Sequence, residues 1–261
     1  MSGKKRRLNR LFRHADGRAI LTPIDHGLWY GPMAGIESPV DIARCVIPES
    51  DGLLVAPGFA RSVADVLPSD CALVLRVGVS TSLSPAQDYE SLFADVETAL
   101  RLDADALVHT LYIGGSRDEQ ALRDLGQIIK EAERCAMPVL AEFLPLVGAP
   151  RAEEVAQWAR LGFEMGADMI KTVYTGEPAA YRRVVAGCPL PILIAGGPAV
   201  GTPADLLRTV AGALEAGAAG TAIGRRVWQS PQPRRLLQLF GQLMHGQISL
   251  EQALAAVQGW S

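Results

Sequence analysis

The 261-residue sequence has no strong excess of charge of either sign: 25 lysines and arginines stand against 28 acidic residues, a net charge of -3. That balance excludes the broad field by which proteins attract nucleic acid or an acidic membrane. Nor is there an apolar run near the ~18 residues that a bilayer span needs. No CxxC pair occurs among Cys45, Cys71, Cys135 and Cys188. The four are read as buried thiols in a reducing, cytoplasmic compartment. The basic opening MSGKKRRLNRLFRH is followed by no apolar segment, so it is not a secretory signal. It reads instead as a short amphipathic helix covering one end of the domain. A GxGxxG turn near the start is missing, which argues against a doubly wound nucleotide-binding sheet. HxxH and HxH pairs are missing as well. Asp25, His26, His109 and Glu142 could still converge as ligands, but no metal is expected.

What the sequence does contain is an alternation of short apolar runs with longer amphipathic stretches. Eight runs read as strands: Ala19–Pro23, Gly52–Ala56, Ala72–Val77, Ala106–Ile113, Val139–Leu144, Met169–Tyr174, Ile192–Gly196 and Gly220–Gly224. They are β-branched or leucine-rich and do not alternate cleanly, as expected of strands buried on both faces. Apolar residues at three- and four-residue spacing predict helices over Asp88–Leu102, Ser116–Cys135, Arg151–Met165 and Thr202–Ala216. Ser116 and Thr202 are read as N-caps, and Gly166 and Gly217 as C-terminal stops. Two further helices, PRRLLQLFGQLMH and SLEQALAAVQ, close the chain. Eight strand–helix cycles without a break in composition predict one α/β domain over residues 1–261, a (β/α)8 TIM barrel. An open doubly wound sheet is the second choice.

In such a barrel the chemistry sits at the C-terminal strand ends. The first strand ends in Asp25 and His26; the fourth carries His109 and Tyr112; the fifth carries Glu142; the sixth carries Lys171 and then Tyr174. The seventh ends in AGGP, Ala195–Pro198, and the eighth in IGRR, Ile223–Arg226. Two glycine turns on adjacent strands, one with an arginine, suit a phosphate: Gly196, Gly197 and Gly224 let backbone approach it, and Arg225 offers a guanidinium. Lys171 lies in an apolar run, MIKTVY. Burial there disfavours the ammonium, and a neutral amine can condense with a carbonyl. The alternatives for a lone lysine are snorkelling to solvent or pairing with a carboxylate. Asp25 could pair with the lysine or shuttle protons; His26 could act as acid or base, or be a packed histidine.

Five phrases carry a family resemblance: PIDHG (Pro23–Gly27), TLYIGGS (Thr110–Ser116), GADMIKTVYTGE (Gly166–Glu177), VVAGCPLPILIAGGP (Val184–Pro198) and AGAAGTAIGRRVWQSPQP (Ala216–Pro233). The chain resembles archaeal-type class I fructose-bisphosphate aldolases and their relatives, 2-amino-3,7-dideoxy-heptulosonate synthase and an autoinducer-2 thiolase. The resemblance implies a (β/α)8 barrel and a Schiff-base lysine at Lys171, with no metal or other cofactor. It places the aspartate of the DHG motif at Asp25 and the phosphate-holding residues at Gly196, Gly197, Gly224 and Arg225. It implies a small phosphorylated sugar or ketone as substrate, such as dihydroxyacetone phosphate or fructose 1,6-bisphosphate, and a homo-oligomer, often a decamer in family members. One position departs. Aldolase members carry a tyrosine acid on strand five, where this chain has Leu144. Glu142, Tyr112, Tyr174 and His26 are the candidates to replace it. The departure keeps two alternatives open, acyl transfer on a phosphorylated diketone by the same lysine, and a barrel that binds sugar phosphates without turnover.

Overall fold

The computed structural model describes residues 2–84, 87–197 and 200–260. Eight parallel strands close into a barrel: β1 Ala19–Pro23, β2 Gly52–Val55, β3 Ala72–Arg76, β4 Ala106–Ile113, β5 Val139–Pro145, β6 Met169–Val173, β7 Ile192–Ala195 and β8 Gly220–Ala222. Each pairs with its sequence neighbours, and β1 closes on β8. Every predicted strand is present, to within two residues at its ends. The closing seam needs a glycine. Gly220 pairs with Ala19 at a φ of 142°, and a Cβ there would lie 1.9 Å from the Ala19 carbonyl oxygen.

Side chains alternate across the barrel wall, as pleated strands require. Leu21, Leu54, Val74, Val108, Leu140, Met169 and Leu193 point inward and form the barrel's inner core. Their neighbours Ile20, Leu53, Leu73, Leu107, Ala141, Ile170 and Ile194 point outward and pack under the helices. The helices after β5 and β7 match expectation, at Ala152–Met165 and Pro203–Glu215. Thr202 caps the latter, its hydroxyl accepting from the Asp205 amide at 3.2 Å. Gly166 and Gly217 both take positive φ, 97° and 98°, at helix ends. The two closing helices are Pro233–Met244 and Leu250–Ala256.

Three expectations are corrected. The predicted helix at Asp88–Leu102 forms only over Val96–Arg101, capped by Asp95, which accepts from the Thr98 amide at 2.8 Å. Upstream, Ser91–Leu92 instead pairs antiparallel with Gly78–Val79, and Glu90 turns inward. Ser116 is not an N-cap. Its hydroxyl donates to Asp88 at 2.8 Å, and the helix begins at Asp118, whose carboxylate accepts from the Gly114 and Gly115 amides. Of the four thiols, Cys71 and Cys188 are buried, but Cys45 is half-buried and Cys135 exposed.

The basic N-terminus forms the helix Ser2–Leu11. Leu8, Leu11 and Phe12 pack against the inner core and cap the end of the barrel at which the strands begin. Its cations meet three aspartates, each the residue just before an even-numbered strand. Lys4 lies 3.0 Å from Asp168, Arg10 donates to Asp105 at 2.7 Å and Arg13 to Asp51 at 2.7 Å. The second oxygen of each aspartate accepts a backbone amide of the preceding strand: Val139, Leu73 and Ile20, at 2.8–2.9 Å. Leu11 is 2% exposed. Leu11→Ala should therefore lower unfolding stability by about 2–4 kcal/mol, read as a lower urea midpoint with unchanged slope.

Candidate active site

The inward-facing side chains change character near the C-terminal ends of the strands. Above Val74 in β3 comes Arg76; above Val108 in β4, Thr110 and Tyr112; above Leu140 in β5, Glu142 and Leu144; above Met169 in β6, Lys171. Thr110, Glu142 and Lys171 stand in register on adjacent strands, so their side chains are neighbours by construction. They line a cavity of about 230 Å³ together with Asp25, His26, Trp29, Tyr30, Glu90, Tyr112, Leu144 and Arg225.

Lys171 is buried, and its Nζ lies 2.6 Å from Glu142 Oε1. The cavity position and the carboxylate pairing expected as alternatives are thus both present. Glu142 in turn accepts from Arg76 Nη2 and from Thr110 Oγ1, each at 2.9 Å. Arg76 also donates through Nε to Asp25 at 2.7 Å and through Nη1 to Thr110, with Glu90 at 3.5 Å. One buried guanidinium therefore touches side chains from β4, β5, the end of β1 and the turn just before Ser91–Leu92. Sequence reasoning missed Arg76 and Glu90. The signal for Arg76 was the one used for Lys171, a cation inside an apolar strand, ALVLRV. Glu90 carried no signal, because its apparent helical spacing hid a turn.

Charges in this network settle unequally. Burial works to raise the Asp25 carboxyl, but Arg76, His26 and Lys171 hold it below its ordinary value. Burial acts likewise on Glu142, yet Lys171 and Arg76 bring it down to about 2. Glu142 is thus held as an anion between two cations. The environment does not favour the expectation that it replaces the strand-five acid: three of its four lone-pair directions already serve Lys171, Arg76 and Thr110. Burial lowers His26 to about 4, against the pull of Asp25. It is a neutral imidazole beside the cavity, its Nδ1 3.6 Å from Asp25 and its ring edge-on to Trp228 at 5.5 Å.

Two predicted residues do not reach the cavity. Tyr174 is an odd number of residues from Lys171, so strand alternation sends it to the other face. Its ring meets Tyr181 at 5.0 Å, and its hydroxyl lies 2.5 Å from where a Cβ on Gly212, in the helix after β7, would sit. His109 likewise faces outward, fully buried, with burial lowering it to about 4. Among the described residues no group of three or more His, Cys, Asp and Glu is placed to hold a metal ion.

The phosphate candidates divide. Arg225 lines the cavity, donates to Tyr30 Oη at 3.1 Å and to the Gly197 carbonyl at 3.3 Å, and keeps a buried Nε without a partner. Gly197 has a φ of 66° and open space around it. Gly196 and Gly224 are small for packing reasons. A Cβ on Gly196 would lie 2.5 Å from Ile223, and one on Gly224 would lie 2.4 Å from the Pro23 carbonyl oxygen. Pro198, the end of the predicted seventh-strand turn, lies outside the described residues.

Residues 19–230 match the family model for DeoC/LacD family aldolases. A 2-amino-3,7-dideoxy-D-threo-hept-6-ulosonate synthase of Archaeoglobus fulgidus is 32% identical over 255 residues, covering 97% of this chain and 95% of that protein. The synthase of the same name in Halobacterium salinarum is also 32% identical, over 97% of this chain and 96% of its own. Among solved structures, an archaeal fructose 1,6-bisphosphate aldolase superposes with a TM-score of 0.84 at 29% identity, covering 93% of this chain and 99% of that one. A second structure of such an aldolase, its catalytic lysine covalently bound to a carbinolamine intermediate of the substrate, superposes equally well at 0.84. With the closed barrel and the match over most of its length, this chain belongs to the DeoC/LacD family of aldolases and is a lyase of the class I, Schiff-base type.

Proposed function

We propose that Lys171 condenses with the carbonyl carbon of a small phosphorylated ketose, with dihydroxyacetone phosphate and fructose 1,6-bisphosphate as the first candidates. The observation that carries this reading is the placement of a buried Lys171 Nζ, 2.6 Å from Glu142, in one cavity with Arg225. The amine adds to the ketone, water leaves, and the resulting iminium draws electrons from the adjacent carbon–carbon bond. Glu142 and Arg76 fix the amine's position. Asp25, ionised by its contact with Arg76, receives or returns the proton at the carbon next to the imine. Arg225 and the Gly197 turn hold the phosphate, with Gly196 and Gly224 shaping the turns that present them. His26, neutral at physiological pH, offers a hydrogen-bonding partner at the same wall.

The likeness to aldolases described as Schiff-base-forming supports the imine, and the likeness to two proteins named as heptulosonate synthases supports action in the bond-forming direction. A cytoplasmic homo-oligomer belongs to the same reading and is checked by light scattering.

The first test is trapping. With dihydroxyacetone phosphate and borohydride, the wild type gains one covalent adduct by intact mass, and Lys171→Met gains none. An unmodified wild type across a panel of ketose phosphates sinks the reading. Glu142→Gln removes the anion beside the lysine and slows adduct formation as well as turnover. Arg225→Ala raises KM for the phosphorylated substrate by about 10- to 150-fold, the loss of a charge-assisted hydrogen bond worth roughly 1.5–3 kcal/mol. Its KM for the unphosphorylated analogue stays as in the wild type. Tyr174→Phe leaves turnover unchanged, because its ring lies under the helices.

A further inference from the structure

Leu144 leaves the cavity without the acid that the aldolase reaction needs on the aldehyde side, and Glu142 is committed to its cations. The remaining carboxyl in the cavity is Glu90. It is buried, carried inward by the turn before Ser91–Leu92, and shares the cavity with Leu144, Tyr112 and Lys171. Room for it is built into the backbone. A Cβ on Gly78, paired across the hairpin with Leu92, would lie 2.5 Å from Glu90 Oε2 and 2.6 Å from His109 Nδ1.

The charge arrangement around Glu90 is uneven. Arg76 and Lys171 are two cations, and Asp25 and Glu142 are two carboxylates bonded to them at 2.6–2.9 Å. Glu90 is a third carboxyl, 3.5 Å from Arg76, added to a cluster already neutral. We propose, on the basis of the imine chemistry above, that Glu90 is the proton carrier at the oxygen of the aldehyde half of the substrate, in the role for which Leu144 has no group. In cleavage, the Glu90 carboxylate takes the proton from the hydroxyl beside the scissile bond. That oxygen's electrons form the aldehyde C=O, the carbon–carbon bond breaks, and its electron pair neutralises the iminium as an enamine. In condensation the enamine carbon attacks the aldehyde, and protonated Glu90 returns the same proton to the alkoxide.

The surroundings suit a group that works in both directions. Burial raises the Glu90 carboxyl, Arg76 and the Thr110 backbone oppose that, and Glu142 and Asp25 add to it, leaving it at about 7. Of the groups nearby, His109, packed beside Gly78 outside the cavity, is lowered to about 4 by burial, and burial raises the Tyr112 phenol, making it a weak acid. A carboxyl with this value is protonated below about pH 7 and ionised above it. Cleavage, which needs the base, therefore rises with pH through a limb near 7.

The test is Glu90→Gln, followed by borohydride trapping and by the pH profile of cleavage. We expect the Lys171 adduct to form as in the wild type, kcat to fall about 100-fold or more, and the limb near pH 7 to vanish. Unchanged turnover with the limb intact overturns the assignment to Glu90. So does loss of the adduct, which would make Glu90 a support for Arg76 rather than a proton carrier. A wild type that forms no adduct fails earlier, at the imine itself, and is told apart by that. If Glu90→Gln does not fold, Glu90→Asp carries the test. It keeps an ionisable group, so a limb at reduced kcat supports the proposal, and a profile without one overturns it.

Discussion

The site is organised by one buried guanidinium. Arg76 bonds across the barrel to Asp25, Thr110, Glu142 and Glu90. Three carboxyls could not share a space this small without it. Its planar fork sets where each oxygen sits, and lysine could not do the same, being a single compact charge. Because Glu142 is fixed from one side by Arg76 and Thr110, its free oxygen is fixed for Lys171 on the other. The lysine's position is thus decided three strands away. Such clusters are poor sources of stability, since burying ions costs about as much as pairing them returns. Their presence here at the cavity, and not in the apolar layer beneath, is the mark of a site kept for chemistry.

Much of the fold was legible because strand burial and glycine stops write themselves into short windows. All eight strands could be placed from runs such as GLLV and ALVHTLYI. The site was half legible. Lys171 and Asp25 stood out as charges at strand ends, but the rule that found Lys171 was not applied to Arg76 in ALVLR. Tyr174 was misplaced by counting residue types and ignoring parity: three residues separate it from Lys171, and strand alternation then requires the opposite face. Glu90 lay beyond local reasoning. Apolar residues in DYESLFADVETALRL mimic a helix, yet the Asp95 cap and the pairing of Ser91–Leu92 with Gly78–Val79 split the stretch. What turns Glu90 inward is a tertiary environment, made by Arg76 and the space over Gly78.

The two ends of the barrel use the same residue types to opposite effect. At the N-terminal end, Asp51, Asp105 and Asp168 each bridge a backbone amide and a cation of the basic N-terminal segment, one oxygen to each. At the other end the carboxyls outnumber the cations that touch them. The first arrangement closes the barrel, and the second leaves one carboxyl with an undecided proton.

The seam at Gly220 bears on how the chain is made. β8 pairs with both β7 and β1, so a ribosome must deliver the chain through Gly220–Ala222 before the ring can shut. Until then the first strand and the seventh each present a bare edge. A nascent chain stalled short of this glycine would carry two open strand margins and no formed pocket, a natural target for chaperones and for proteases.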